Sequence, residues 1–193
     1  MYFNSALLAS LTILAASAPT AFGAPQPAST AISEGDKFGA ITIRSGSEIQ
    51  NSAIQAAQRS LFVNAKSQNA TCASETNSAT FYIQDQELRL YSSNDPLNQT
   101  IFVDRSGMGM GKIGYITGNE SLGRYWETKG WALTESNELQ FHGTGIQACP
   151  GSIDGGWSIW LQGVEKPGYN ENCTGVVAAA YKTDDPIECV YTH

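Results

Sequence analysis

Within IFVDRSGMGMGKIGY, Ile101 to Tyr115, one acid and two bases (Asp104, Arg105, Lys112) bracket three glycines at every second position, Gly107, Gly109 and Gly111. Glycines ahead of a lysine suggest a phosphate cradle, in which backbone N–H groups and an ammonium hold the anion. The spacing excludes it. A Walker loop needs a glycine separated by four residues from a Gly-Lys pair and a hydroxyl residue after the lysine, whereas Ser106 stands at the first position and Ile113 at the last. The stretch therefore reads as a Gly-rich turn between two strands, with Arg105 and Lys112 as the charges a ligand would meet.

Other chemistry is thinly supported. Nucleophilic hydrolysis needs a Ser or Cys beside a base, but no G-x-S-x-G elbow occurs and the histidines are only His142, in LQFHG at a strand end, and the terminal His193. Glycoside hydrolysis needs two carboxylates across a cleft; Asp104, Glu127 and Asp154 lie near glycines or aromatics and are the nominees. No catalytic residue, metal ligand or cofactor site is assigned, since no CxxC pair accompanies the two histidines. Aromatic residues crowd the second half of the chain. Trp131, Trp157 and Trp160 fall in strand-like runs and read as core, whereas Tyr125 and Trp126, in SLGRYWETKG, read as an exposed pair on which a sugar ring would stack.

Cysteines and sequons describe the environment. Cys72, Cys149, Cys173 and Cys189 form an even set, expected as two disulfides. Three pairings are possible; Cys173–Cys189 with Cys72–Cys149 is favoured because the first staples a short C-terminal segment. Sequons at Asn69, Asn98, Asn119 and Asn172 sit at strand edges and are candidate glycosylation sites.

The elements that must position these residues are mostly short strands. FGAITIRSG, SLFV, ATFYIQDQELRLY (a hairpin around Asp85-Gln86-Glu87), TIFV, KIGYI, GWALTESNELQF, GGWSIWL, GVVAAAY and ECVYT are β-type runs separated by Gly, Asn, Ser and Asp. Asn51 to Ser60 is the one short helix predicted. Strands starting near Leu61, Ile101 and Ile146 follow hairpin-like units at intervals of 40 and 45 residues. Such an echo suggests an all-β single domain of β-trefoil or other closed β-barrel type, with a β-sandwich as the alternative.

Residues 1–23 read as a signal peptide, with an apolar run from Ala6 to Ala18 and small residues before a cleavage after Gly23. The run is shorter than the ~20 residues of a membrane span, so no membrane partner is expected. Residues 24–36, rich in Pro, Ala and Ser, read as a mobile arm in which Ser29 and Thr30 are suited to O-linked sugars. Residues 37–193 form the folded domain. With 11 basic and 18 acidic residues the net charge is −7, which disfavours nucleic acid as a partner.

IRSGS, SQNATC, SATFYIQDQELRLY, IFVDRSGMGMGKIGY, LQFHG followed by ACP, GGWSIWL and the closing CVYT together resemble the phialide-development cell-wall proteins of filamentous fungi, the PhiA type. The resemblance runs from Phe38 to Thr192, although Met110 stands where members usually carry a polar residue. It implies a secreted, wall-associated, antigenic protein that supports development of phialides and conidia and has no enzymatic activity. The expected partners are wall polysaccharide or wall proteins; oligomeric state is left open. Two alternatives stand beside this reading. One is a lectin-like module with Tyr125, Trp126 and the Gly107 to Lys112 loop lining a sugar site, and the other is a wall-modifying glycoside hydrolase.

Overall fold

Short β-branched and aromatic runs, punctuated by residues that tolerate left-handed backbone, give fifteen strands among the residues described by the computed structural model, 31–92 and 98–192. The expected signal peptide, residues 24–30 of the arm and His193 lie outside the described residues. The strands are β1 (Phe38–Ile43), β2 (Ser52–Ala57), β3 (Ser60–Val63), β4 (Thr71–Cys72), β5 (Phe81–Gln84), β6 (Glu87–Leu90), β7 (Gln99–Asp104) and β8 (Lys112–Thr117). There follow β9 (Trp126–Glu127), β10 (Trp131–Leu133), β11 (Leu139–Phe141), β12 (Ile146–Cys149), β13 (Trp157–Leu161), β14 (Thr174–Lys182) and β15 (Cys189–Val190). The all-β, single-domain, doubly disulfide-bonded class is the expected one.

Eleven strands form one antiparallel sheet, and β10–β11 and β4–β15 form two small ribbons. Within the large sheet the pairings β1–β2, β2–β3, β3–β13, β13–β12, β12–β14 and β14–β1 close a six-member cycle. The closing pair has the longest register, Phe38↔Lys182 through Ile43↔Val177. Closure removes the open edges of these six strands, on which another chain would otherwise pair. β7 and β8 form a long hairpin, Gln99↔Thr117 through Asp104↔Lys112, and β6 and β9 flank β7.

Two sequence expectations are corrected. Asn51 to Ser60 is not helical: it is β2, a turn at Gln58 and Arg59, and the first residue of β3. Gln58 and Arg59 both have positive φ (45° and 57°), which gives the two-residue turn whose twist matches a β-hairpin. Gln55 is buried and exchanges hydrogen bonds with Ala65, donating from Nε2 to its carbonyl (2.9 Å) and accepting its N–H at Oε1 (2.8 Å). Tertiary pairing overrides local propensity in this segment. The disulfides are Cys72–Cys189 and Cys149–Cys173, not the favoured pairing. The nine residues of β14 begin just after Cys173 and carry the chain away from it, while β15 returns to lie against β4 with Cys189 opposite Cys72.

The core is built from Trp131, Tyr115, Tyr191, Phe38, Phe81 and Phe141 with the inward Ile, Leu and Val of the strands. Its last piece is a C-terminal strap. The Tyr191 N–H donates to Gln99 Oε1 (2.9 Å), Gln99 Nε2 donates to the Tyr191 carbonyl (3.0 Å), and the Thr80 N–H donates to the Tyr191 hydroxyl (3.1 Å). The Tyr115 hydroxyl donates to the Thr192 carbonyl. Residues 31–36 also make defined contacts: Ile32 packs on the core, and the Gly35 N–H donates to Ile83 O (2.9 Å).

Burial raises both core tyrosines to about 12, and for Tyr115 it outweighs the hydrogen bonds with Arg59 and Thr192 that favour its phenolate. Unfolded tyrosines ionise near 10, so between pH 10 and 12 the unfolded chain releases protons that the folded chain retains. Stability is therefore expected to fall as pH rises through that window. Denaturant midpoints at pH 9 and 11.5 check this: a Tyr115→Phe/Tyr191→Phe variant should show a shallower loss than the parent.

Candidate functional site

The Gly-rich loop caps the β7–β8 hairpin, and its shape follows from one carboxylate. Asp104 Oδ1 accepts the Ser106 N–H (2.9 Å), Ser106 Oγ accepts the Gly109 N–H (2.9 Å), and the Gly111 N–H returns to Asp104 O (2.9 Å). A Cβ on Gly109 would lie 2.0 Å from Asp104 Cγ, so the loop folds directly onto the carboxyl group and only glycine fits. Burial acts to raise the Asp104 pKa, but hydrogen bonds from Ser106 and the Trp126 side chain, with the nearby Lys112 ammonium, prevail and hold it below the ordinary carboxylate value. A charged, internally bonded Asp104 organises a turn and is a poor general acid.

Trp126 lies opposite Asp104 on β9, and its indole stacks on Phe102 at 3.8 Å between centroids and 3° between planes. Gly123 closes the other face, since a Cβ there would sit 2.8, 2.8 and 2.9 Å from three atoms of the pyrrole ring. Phe102 in turn covers Gly114, where a Cβ would meet Phe102 Cζ and the Arg59 carbonyl, each at 2.7 Å. Of the expected exposed Tyr125–Trp126 pair, Tyr125 is 51% exposed, whereas Trp126 is partly buried in a stack that runs from Gly114 to Gly123. The polar neighbours of Trp126 in sequence point to a wet side chain; its cross-strand partners cover part of the ring.

Arg105 and Lys112 are both exposed at the tip. The Arg105 N–H donates to Tyr125 O (2.9 Å), which ties the 118–126 segment to the loop, and the Arg124 guanidinium lies 5.3 Å from the Tyr125 ring centroid. Met108 projects from the loop at 89% exposure. Beside the loop runs a groove of about 630 Å3, bounded by Arg105, Gly107 and Met110 on one side and Thr144, Gln162 and Val164 on the other. Sequence reasoning missed the 161–164 wall, because pairing of Trp160 with Lys112 across β13 and β8 brings it there.

The remaining nominees do not converge on the loop. Glu127 lies 3.9 Å from His142 Nε2, and Asp154 sits in an exposed turn with φ 52°. His142 itself occupies a left-handed position (φ 47°) with its ring against Gly130. Among the described residues no group of three His, Cys, Asp or Glu side chains is placed to hold a metal ion. Asn69, Asn119 and Asn172 are exposed and Asn98 is half-buried, with Asn98 O accepting the Gly118 N–H (2.9 Å) at the base of the hairpin. Trp131 is buried as expected, whereas Trp157 and Trp160 are partly exposed; their indole N–H groups donate to Glu48 Oε1 (2.8 Å) and Ser158 Oγ (2.9 Å).

Residues 38–192, which hold every strand among the described residues, match the family described as PhiA-like secreted protein. The chain belongs to this family. Among curated relatives, "Cell wall protein phiA" of Aspergillus niger is 47% identical over 159 residues, covering 81% of this chain and 86% of the relative. The protein of the same name from Aspergillus fumigatus is 49% identical over 157 residues (80% and 84%), and that of Emericella nidulans 43% identical over 192 residues (98% and 97%). No solved structure matches the chain. As a PhiA-like protein it is a secreted protein of the fungal cell wall, and the matched span includes both disulfides and the entire β7–β8 hairpin.

Proposed function

We propose that this PhiA-like protein is a non-enzymatic wall glycoprotein that supports phialide and conidium development by noncovalent association with wall polysaccharide. The observation that carries the reading is the hairpin tip, where the loop and Arg105 border an open groove and the exposed Tyr125, Lys112 and Arg124 lie on the neighbouring surface. A sugar ring stacks on an aromatic face while neighbouring polar groups bind its hydroxyls, and Tyr125 with Arg105, Gln162 and Thr144 supplies those group types. The developmental role follows from the resemblance to the phialide-development proteins, while the wall relatives named above support the wall association. Asn69, Asn119 and Asn172 offer exposed acceptors for N-linked glycans, with Asn98 as a fourth.

Fractionation of fungal walls tests this directly. The protein is expected to leave the wall in detergent without glucanase, and the purified chain to be retained on insoluble chitin or β-glucan at low salt. Release only by glucanase, or no retention on either polymer, counts against noncovalent polysaccharide association. A deletion strain with normal conidium numbers counts against the developmental role.

A further inference from the structure

The net charge of −7 gives this protein an acidic surface on average, yet the hairpin tip is locally basic. Arg105, Lys112 and Arg124 are all exposed, and among the described residues none of the three enters an ion pair. Of the eight other Lys and Arg residues, four are matched: Arg59 pairs with Glu120, Arg89 with Glu87, Lys166 with Glu171 and Lys182 with Asp36. The nearest acid, Asp104, is turned into the loop, where it is hydrogen-bonded by Ser106 and Trp126 and interacts with Lys112 through charge alone, not as a contact ion pair. Glu127, one residue beyond Trp126, is opposite Val103 rather than Asp104 and lies against His142.

Position supports a shared role for these cations. Lys112, Asp104 and Trp126 are cross-strand neighbours on β8, β7 and β9, Arg105 follows Asp104 into the loop, and Arg124 lies over the Tyr125 ring whose carbonyl holds the Arg105 amide. Arg105 lines the groove. Unpaired guanidinium and ammonium groups bind carboxylate and phosphate oxygens, arginine in bidentate fashion, and an exposed tyrosine adds stacking on a sugar ring. Local concentration of one charge sign on a protein of the opposite net sign selects a partner by complementarity.

We infer that the hairpin tip binds an acidic polysaccharide, one bearing carboxylate or phosphate groups, in preference to a neutral glucan. This rests on the wall-polysaccharide reading above and narrows it to a ligand class. The extended tip, with cations on successive elements, suits a chain of repeated charges better than a single small anion.

The test uses the full secreted protein against three soluble probes: polygalacturonate for the carboxylate arm, a phosphorylated mannan for the phosphate arm, and laminarin as the neutral arm. The parent should bind at least one polyanion more tightly than laminarin, and should lose that binding at roughly 0.5 M salt, where the Debye length falls to about 4 Å. R105Q/K112Q/R124Q is expected to weaken polyanion binding about tenfold, while R44Q/K66Q, exposed cations elsewhere, changes it by less than about twofold. Unchanged melting temperatures show that both variants fold. Equal affinity for laminarin and the polyanions, an unaffected triple variant, or an equal loss in R44Q/K66Q overturns the inference. Parent protein that binds isolated walls in every one of those cases leaves the wider reading standing; parent protein that fails to bind walls removes both.

Discussion

Removing the Cys72–Cys189 disulfide with C72A/C189A is expected to destabilise the domain by about 5 kcal/mol, against about 3.5 kcal/mol for C149A/C173A, from the loop-closure entropy of 117 and 24 residues. For a chain of this size the larger loss corresponds to a melting temperature lower by roughly 10–20 °C. The difference has a structural side as well. Cys189 fixes β15 against β4, and the two residues that follow Val190 tie the strap to other strands: Tyr191 holds Gln99 and Thr80, and Thr192 accepts from Arg59 N–H (3.3 Å) and from the Tyr115 hydroxyl. Without the cross-link the strap must be held by those hydrogen bonds, by the β4–β15 pairing and by burial of Tyr191. Thermal melts of the two double variants check the order, and a larger loss for C149A/C173A would mean that the strap stays docked without its disulfide.

Gln99→Met is expected to cost about 3 to 5 kcal/mol, because it keeps the volume but leaves the buried N–H and carbonyl of Tyr191 without partners, at about 1–3 kcal/mol each. Gln99 is fully buried at the start of β7, and its amide also donates to Thr117 Oγ1 (3.1 Å) across the base of the hairpin. It therefore joins the strap to the hairpin whose other end carries the candidate binding loop. Gln99→Met and C72A/C189A act on the same segment, so their effects should not add. In the disulfide-free background the strap is already loosened, and Gln99→Met should cost about 1 kcal/mol less than in the parent. Strict additivity in a denaturant-based cycle would show that Gln99 holds the strap independently of Cys189. Neither variant should change polyanion binding at temperatures where it remains folded, since the tip is stabilised by Asp104, Ser106 and the Trp126 stack.

Much of the architecture was legible in the residues because it follows from short-range rules. Alternating apolar runs give strands, and residues that accept positive φ end them: Asp85 and Gln86 make the two-residue turn of the β5–β6 hairpin, with φ of 52° and 64°. Four cysteines gave two disulfides, and the Gly-rich stretch is a strand-joining loop rather than a phosphate cradle. The helix expected at Asn51 to Ser60 and the favoured cysteine pairing failed for one reason. Both depend on which distant strand lies alongside, and spacing along the chain carries no record of that.

The hairpin tip divides in the same way. Sequence determined that Ile101 to Tyr115 would be strand, glycine loop and strand, that Arg105 and Lys112 would flank it, and that the family string lies within it. Only the tertiary structure decided that Asp104 would be consumed by the loop it organises and that Trp126 would be packed between Phe102 and Gly123. It also placed Gln162 and Val164 as the opposite wall of the groove. Those outcomes come from register between strands remote in sequence, which fixes the side chains that share a face and hence the charges that remain free to meet a ligand.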